Sequence, residues 1–205
     1  MNGILILDKP EGLTSAEVVR RVKRRLRVKV GHLGTLDPFA SGVLPLCIGD
    51  GTKIAQFLNT ATKTYEGTIR LGAATDTGDC TGVVARTAPI PAFGSEDLRA
   101  VERQFQGPYT QVPPMYSALK QGGVPLYKLA RQGVEVERSG RLVHIESLRL
   151  CRADEASLDF EVSCSKGTYV RVLAEDVAAA LGTAAHVSVL RRTRFGEFTL
   201  SHAVA

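Results

Sequence analysis

The chain has little that would tie it to a membrane, a metal or an oxidising compartment. Among its 205 residues no apolar run approaches the 18 or so needed to span a bilayer. The opening segment MNGILILDKPEG lacks a basic flank, a long apolar core and a small-residue cleavage site. No secretory signal is expected, and the chain reads as cytoplasmic. The four cysteines, Cys47, Cys80, Cys151 and Cys164, contain no C-x-x-C pair, and the four histidines lie far apart. Zinc-ligand spacing is missing, so no metal site is expected and the cysteines read as reduced thiols. Internal repeats and low-complexity tracts are also missing. What remains is an ordinary globular composition, 44% hydrophobic and 23% charged. The length suits one sizeable domain over residues 1–205, with room for an insertion.

The charge is modestly basic, with 26 Lys and Arg against 21 Asp and Glu. Its distribution says more than its sum. RRVKRRLRVK, residues 20 to 29, holds seven basic residues in ten, and LRRTR at 190 to 194 forms a second cluster. Such density attracts polyanions, nucleic acid above all, although a solvated helix face would look the same.

Periodicity places these features. GILILDKP reads as a buried strand ending in a turn. TSAE matches a capping box, Thr14 with Glu17, at the start of a helix. That helix puts Val19, Val22 and Leu26 on one side and its arginines on the others. GVLPLCIG is a strand, and TKIAQFL a short helix. TYEGTIRLG is a strand with Tyr65, Gly67, Ile69 and Leu71 on one face. SEDLRAVERQFQG is a helix, with Ser95 as its expected cap.

Residues 107–137 hold four prolines and three tyrosines, Tyr109, Tyr116 and Tyr127. They read as an excursion from the sheet with one short helix. RLVHIESLRLCRA and SLDFEVSCSKG pair as a hairpin across DEA. TYVRVLAEDVAAALG is a helix whose apolar face holds Val170, Leu173, Ala174, Val177 and Leu181, with Gly182 ending it. A last strand turns near Gly196. The expected class is α+β, with a mixed, mainly antiparallel sheet flanked by helices.

GHLGTLDPFASGVLPL places a single carboxylate, Asp37, in a loop of small residues that runs straight into an apolar strand. Asp-Pro commonly opens a turn, and an Asx-turn would account for it. The surroundings favour chemistry. Gly31, Gly34 and Gly42 permit close approach, and a basic helix precedes the loop. An acid facing a polyanion is better suited to reaction than to binding. A reacting carboxylate needs a cation to orient it, and Arg171 sits three residues after Thr168, the expected cap of the next helix. A snorkelling arginine is the alternative reading there.

GHLGTLDPFASGVLPLCIGDGTK, with DKPEGLTS upstream and KTYEGTIRLGAATDTGD and SKGTYVRVLAEDVAAALG…HVSVLRRTRFG downstream, closely resembles the TruB family of tRNA pseudouridine synthases. The similarity runs in order from residue 3 to about residue 200, and VPPMYSALKQGGVPLYKLARQG resembles that family's thumb loop. The resemblance implies the pseudouridine synthase fold and isomerisation of uridine 55 in the tRNA T-loop, by base flipping, cleavage at C1′ and rejoining through C5, without cofactor or metal. Asp37 falls on the catalytic aspartate, Tyr65 on the tyrosine that stacks on the flipped base, with help in proton removal from C5 as a further role, and Arg171 on the arginine that pairs with the aspartate. His32 matches the loop histidine that fills the vacated space, and Leu190 an apolar residue lining the pocket. Lys9 and Lys53 read as supports or phosphate contacts, with solvated lysines as the alternative. Relatives usually carry a C-terminal RNA-binding domain, often of PUA type, which is not expected in this chain. The tRNA T-arm is the expected partner, with no membrane and no protein partner, and a monomer is expected. A tRNA-folding module acting without chemistry is the alternative. A subunit of an RNA-guided particle is a third reading, weakened by the missing domain.

Overall fold

The computed structural model describes residues 1–58 and 61–204. GILILDK forms β1 (Gly3–Lys9). Thr14 then caps α1 (Ser15–Leu26) through a complete capping box: its side chain accepts from the Glu17 N–H, and Glu17 accepts from the Thr14 N–H at 2.8 Å. Arg27 ends the helix in the left-handed conformation. β2 (Val30–His32), β3 (Ser41–Ile48), a 3-10 turn over Gly49–Lys53 and α2 (Ala55–Leu58) follow. The single helix expected over TKIAQFL is therefore split into two short pieces.

β4 (Lys63–Leu71) leads into a side hairpin of β5 (Ala73–Thr75) and β6 (Val84–Thr87), then α3 (Ser95–Phe105) and β7 (Gly107–Gln111). The excursion holds β8 (Lys120–Gln121), β9 (Val124–Pro125) and α4 (Leu126–Ala130). β10 (Arg141–Asp154) and β11 (Ser157–Cys164) form the expected hairpin. α5 (Val170–Ala180), β12 (Ala185–Phe195) and β13 (Phe198–Thr199) complete the main elements.

The principal sheet runs β1-β3-β12-β4-β11-β10-β7, with β2 added to β3 and β13 to β12. Among the described strands of this sheet only the β3–β12 pairing is parallel. This is the expected α+β class. β3 is buried along its whole length because it packs on both faces of the sheet. Leu44, Leu46 and Ile48 join the large core under α1, α3 and α5, while Val43 and Cys47 join a smaller core with Ile6, Leu33 and Phe195. The apolar face expected for α5 is buried at every named position. Each large side chain so buried contributes about 2 kcal/mol.

Gly42 fixes the junction of β3 and β12. Its φ is +106°, and a Cβ there would stand 2.2 Å from the Arg192 carbonyl oxygen. Only glycine lets the strands meet, and the meeting carries Arg192 under the Asp37 loop.

Three local expectations need correcting. α3 is capped at Gly94, whose N–H donates to Asp97 at 2.7 Å; Ser95 is the first helical residue. α5 is capped at Tyr169, while the Thr168 hydroxyl donates to the Ser165 carbonyl. Residues 107–111, expected at the start of the insertion, instead form the sheet's edge strand β7 against β10.

Candidate active site

The loop between β2 and β3 is gripped from several sides. The Ser15 hydroxyl, at the first turn of α1, donates to the Leu36 carbonyl at 3.0 Å and accepts from the Leu36 N–H at 2.9 Å. The Gly12 N–H and the Lys9 ammonium both donate to the Pro38 carbonyl, and Arg192 Nη2 donates to the Gly34 carbonyl. Asp37 lies between these anchors. The Asx-turn alternative is not what its carboxylate does: both oxygens face Arg171.

Arg171 projects from the first turn of α5. Nε donates to Asp37 Oδ2 at 2.9 Å and Nη2 to Oδ1 at 3.3 Å. The rest of the guanidinium is also occupied. Nη1 donates to the Thr77 carbonyl, Nη2 to the Tyr116 carbonyl, and Asp79 Oδ2 stands 3.8 Å from Nε. The arginine is therefore not snorkelling. Its side chain is 5% exposed, while that of Asp37 is 35% exposed. The cation is sealed in and the acid keeps an opening. Desolvation pushes the Asp37 carboxyl above its ordinary range, and the Arg171 charge pulls against that rise.

The opening is a cleft of about 520 Å³ lined by Asp37, Tyr65, Arg171 and Leu190 among others. Tyr65 and Leu190 come from neighbouring strands, where Tyr65 pairs with Arg192 and Leu190 with Gly67. Burial pushes the Tyr65 phenol upward, so it stays protonated. Tyr169 and Thr168 supply part of the opposite wall, and Arg141 and Lys166 stand exposed at its rim.

The remaining expected residues lie elsewhere. His32 is half-buried in β2, with Nδ1 lacking a hydrogen-bond partner; burial and then Arg192 lower its pKa, favouring the neutral ring. Lys9 is not a phosphate contact in this structure. It is fully buried, and its ammonium donates to the carbonyls of Pro10, Leu13 and Pro38. Desolvation lowers its pKa to about 8. Lys53 is exposed on the 3-10 turn, paired with Asp50 at 2.7 Å and outside the cleft lining.

The second basic cluster is also spoken for. Arg191 pairs with Asp8 at 2.6 Å, Arg192 is fully buried, and Arg194 donates to the Gly196 carbonyl. The cations of α1, by contrast, are exposed. Sequence reasoning missed Lys63, Asp79 and Arg192. Lys63 sits two residues before Tyr65, on the same face of β4, a period-2 signal that was available. Among the described residues no three His, Cys, Asp or Glu side chains gather to hold a metal.

A mixed sheet thus carries an arginine-paired carboxylate at the base of an open cleft, the arrangement of a candidate single-acid site. The chain belongs to the TruB family of pseudouridylate synthases. The model of that family's N-terminal domain matches residues 20–170, and that of the tRNA pseudouridylate synthase B C-terminal domain matches residues 171–205. Curated relatives named tRNA pseudouridine synthase B include those of Psychrobacter cryohalolentis, 47% identical over 211 residues, and Burkholderia lata, 54% identical over 208. Each match covers 100% of this chain but only 59% and 63% of the relative. The chain thus spans about three fifths of their length. A solved Cbf5–Nop10–Gar1 complex contains a chain 32% identical, with a TM-score of 0.72, covering 96% of this chain and 50% of that one. An H/ACA ribonucleoprotein bound to a substrate RNA containing 2′-deoxyuridine contains another, at 29% identity and a TM-score of 0.69, covering 96% of this chain and 48% of that one.

Proposed function

We propose that this chain isomerises uridine 55 in the tRNA T-loop to pseudouridine, with Asp37 as the essential carboxylate. The observation that carries this reading is the forked Arg171–Asp37 contact at the base of a cleft lined by Tyr65 and Leu190. A base stacked in an RNA loop must leave the stack before its glycosidic bond can be reached. The cleft offers it an aromatic and an aliphatic surface. Asp37 then either attacks C1′ or takes the 2′ proton to give a glycal; the base turns and rejoins through C5. The protonated Tyr65 phenol suits stacking better than proton removal. His32, as a neutral ring at the entry to the Asp37 loop, suits stacking on RNA in the space the base vacates. We take the chain to act as a monomer on tRNA without a protein partner.

The test is tritium release from a tRNA transcript labelled at uridine C5, using purified wild type and Asp37→Asn. Release by the wild type alone is expected. Normal release by Asp37→Asn would sink the role given to that residue. A second reading, a tRNA-folding module, draws on the exposed arginines of α1. It predicts that tRNA refolding survives Asp37→Asn, an activity that can coexist with the first.

A further inference from the structure

Besides Arg171, three buried cations lie near the Asp37 loop among the described residues, and they differ in what their donors do. Among the described residues none of Lys9, Lys63 and Arg192 is ion-paired with an acid. Lys9 spends its ammonium on three backbone carbonyls and stays out of the cleft. Among the described residues Lys63 donates to the Ala61 carbonyl, with its ammonium 4.6 Å from the centre of the Phe195 ring. Arg192 donates through Nε to Val43 and through Nη2 to Gly34, but Nη1 is buried and meets no acceptor. Lys63 and Arg192 both line the cleft. Gly34 packs directly against them: a Cβ there would stand 2.9 Å from Phe195 Cε2, 3.3 Å from Arg192 Nη1 and 3.4 Å from Lys63 Cε.

Carbonyls and the Phe195 and Tyr65 rings offset the burial of these cations only in part; without an acid beside them, two such cations in one cleft floor suit an anion that arrives with the substrate. Their positions say which part of the substrate it is. Lys63 lies two residues from Tyr65 along β4, and Arg192 two residues from Leu190 along β12, all facing one side. A ring resting between Tyr65 and Leu190 therefore has both cations at its edges. We infer that Lys63 and Arg192 stabilise the uracil anion released when the glycosidic bond breaks. This rests on the function proposed above.

The charge balance requires such a site. In the attack route an Asp37 oxygen bonds to C1′. In the glycal route Asp37 takes the 2′ proton, and the C2′–H pair becomes the C1′=C2′ bond. In both, the electron pair of the C1′–N1 bond departs on the base, spread over N1, O2 and O4. Donors beside that charge lower the barrier because they meet it as it develops in the transition state and find none in the neutral ground state. C5 then bonds to C1′ as the Asp37 oxygen departs with its electron pair in the attack route, or as Asp37 returns its proton to C2′ in the glycal route; C5 loses its proton, N1 gains one, and the charge on the base is gone.

The experiment compares single-turnover consumption of a T-arm RNA carrying either uridine or 5-fluorouridine at the target position. Fluorine withdraws electrons, so 5-fluorouracil departs more readily as an anion and depends less on the protein's cations. With Lys63→Met we expect uridine consumption to fall about a hundredfold and 5-fluorouridine consumption less than about tenfold. Lys63→Arg, which restores charge, should bring uridine back to within about tenfold of wild type. The ratio of the two rates within one variant is independent of the fraction folded, so a destabilised protein still answers the question. Equal slowing of both substrates, or no slowing of either, would overturn the assignment. Failure of the wild type to consume either RNA would overturn the proposed reaction itself, and this inference with it.

Discussion

Asp37 titrates between opposed neighbours. Desolvation raises its pKa, Arg171 lowers it, and Asp79 raises it again. If the carboxylate form is the reactive one, activity falls as pH falls through this raised value. The acid limb of the single-turnover rate should therefore lie above the ordinary 3.8. Arg171→Lys keeps the charge but loses the planar fork, and it cannot serve Asp37, Thr77 and Tyr116 together. The pull on Asp37 weakens, so the limb should move to still higher pH while the plateau drops about a hundredfold through lost positioning. A profile measured from pH 4 to 8 checks both; an unmoved limb with normal kinetics would remove Arg171 from the site. At this scale the pairing of Asp37 with Arg171 was legible from their surroundings, the small-residue loop after a basic helix for one and the first turn of a buried helix for the other. The sequence did not show Lys63, Asp79 or Arg192. A Lys, Asp or Arg in a polar stretch looks solvated, and only the β4–β12 register turns two of these inward. Of the two roles open to Lys9, its contact with the Pro38 carbonyl is that of a support to the Asp37 loop.

The helices and strands were largely readable, because apolar spacing reports which face is buried whatever lies opposite. Caps were less so. Thr14 announced itself through the capping box, whereas α3 uses the backbone N–H of Gly94, a donor that any non-proline residue carries. β7 was hidden because GPYTQ has turn-like composition, and pairing with β10 overrides it. The element contact that matters most for function was also unreadable: Ser15 fastens the start of α1 to Leu36, the residue before Asp37. Ser15→Ala leaves a buried N–H and a buried carbonyl without this partner. It should cost about 1–3 kcal/mol in denaturant midpoint experiments. Because the loop then holds Asp37 less firmly, turnover should fall while tRNA affinity stays put. A variant that weakens binding but turns over normally would show that the contact serves something other than the carboxylate.

Across the whole molecule, charge is divided between an interior set and an exterior set. The interior lysines make stability depend on pH. Lys63 has a folded-state pKa of about 8 against an ordinary 10.5, because burial and then Arg192 disfavour its charge. Between those values the unfolded chain binds more protons than the folded one, so this group's contribution to stability rises with pH. The stability of wild type relative to Lys63→Met should accordingly improve from pH 8 to 10.5. Urea midpoints for the pair measure this against a common background of titrating tyrosines and cysteines. A flat difference would mean that the amine is not desolvated. The exterior set governs encounter. With residues 190–194 tied into the fold, α1 remains as a continuous exposed basic face, where Arg21, Arg24 and Arg25 line one shallow hollow. Each phosphate neutralised by such a residue releases condensed counterions, which steepens the dependence of binding on salt. Replacing all three with Gln should weaken tRNA binding at low salt. It should also reduce the slope of log K against log salt by about 2 to 3. Because these residues lie outside the cleft lining, the single-turnover rate at saturating tRNA should change little. An unchanged slope would leave α1 as a solvated face and move the tRNA path to the cleft rim, where Arg141 and Lys166 stand.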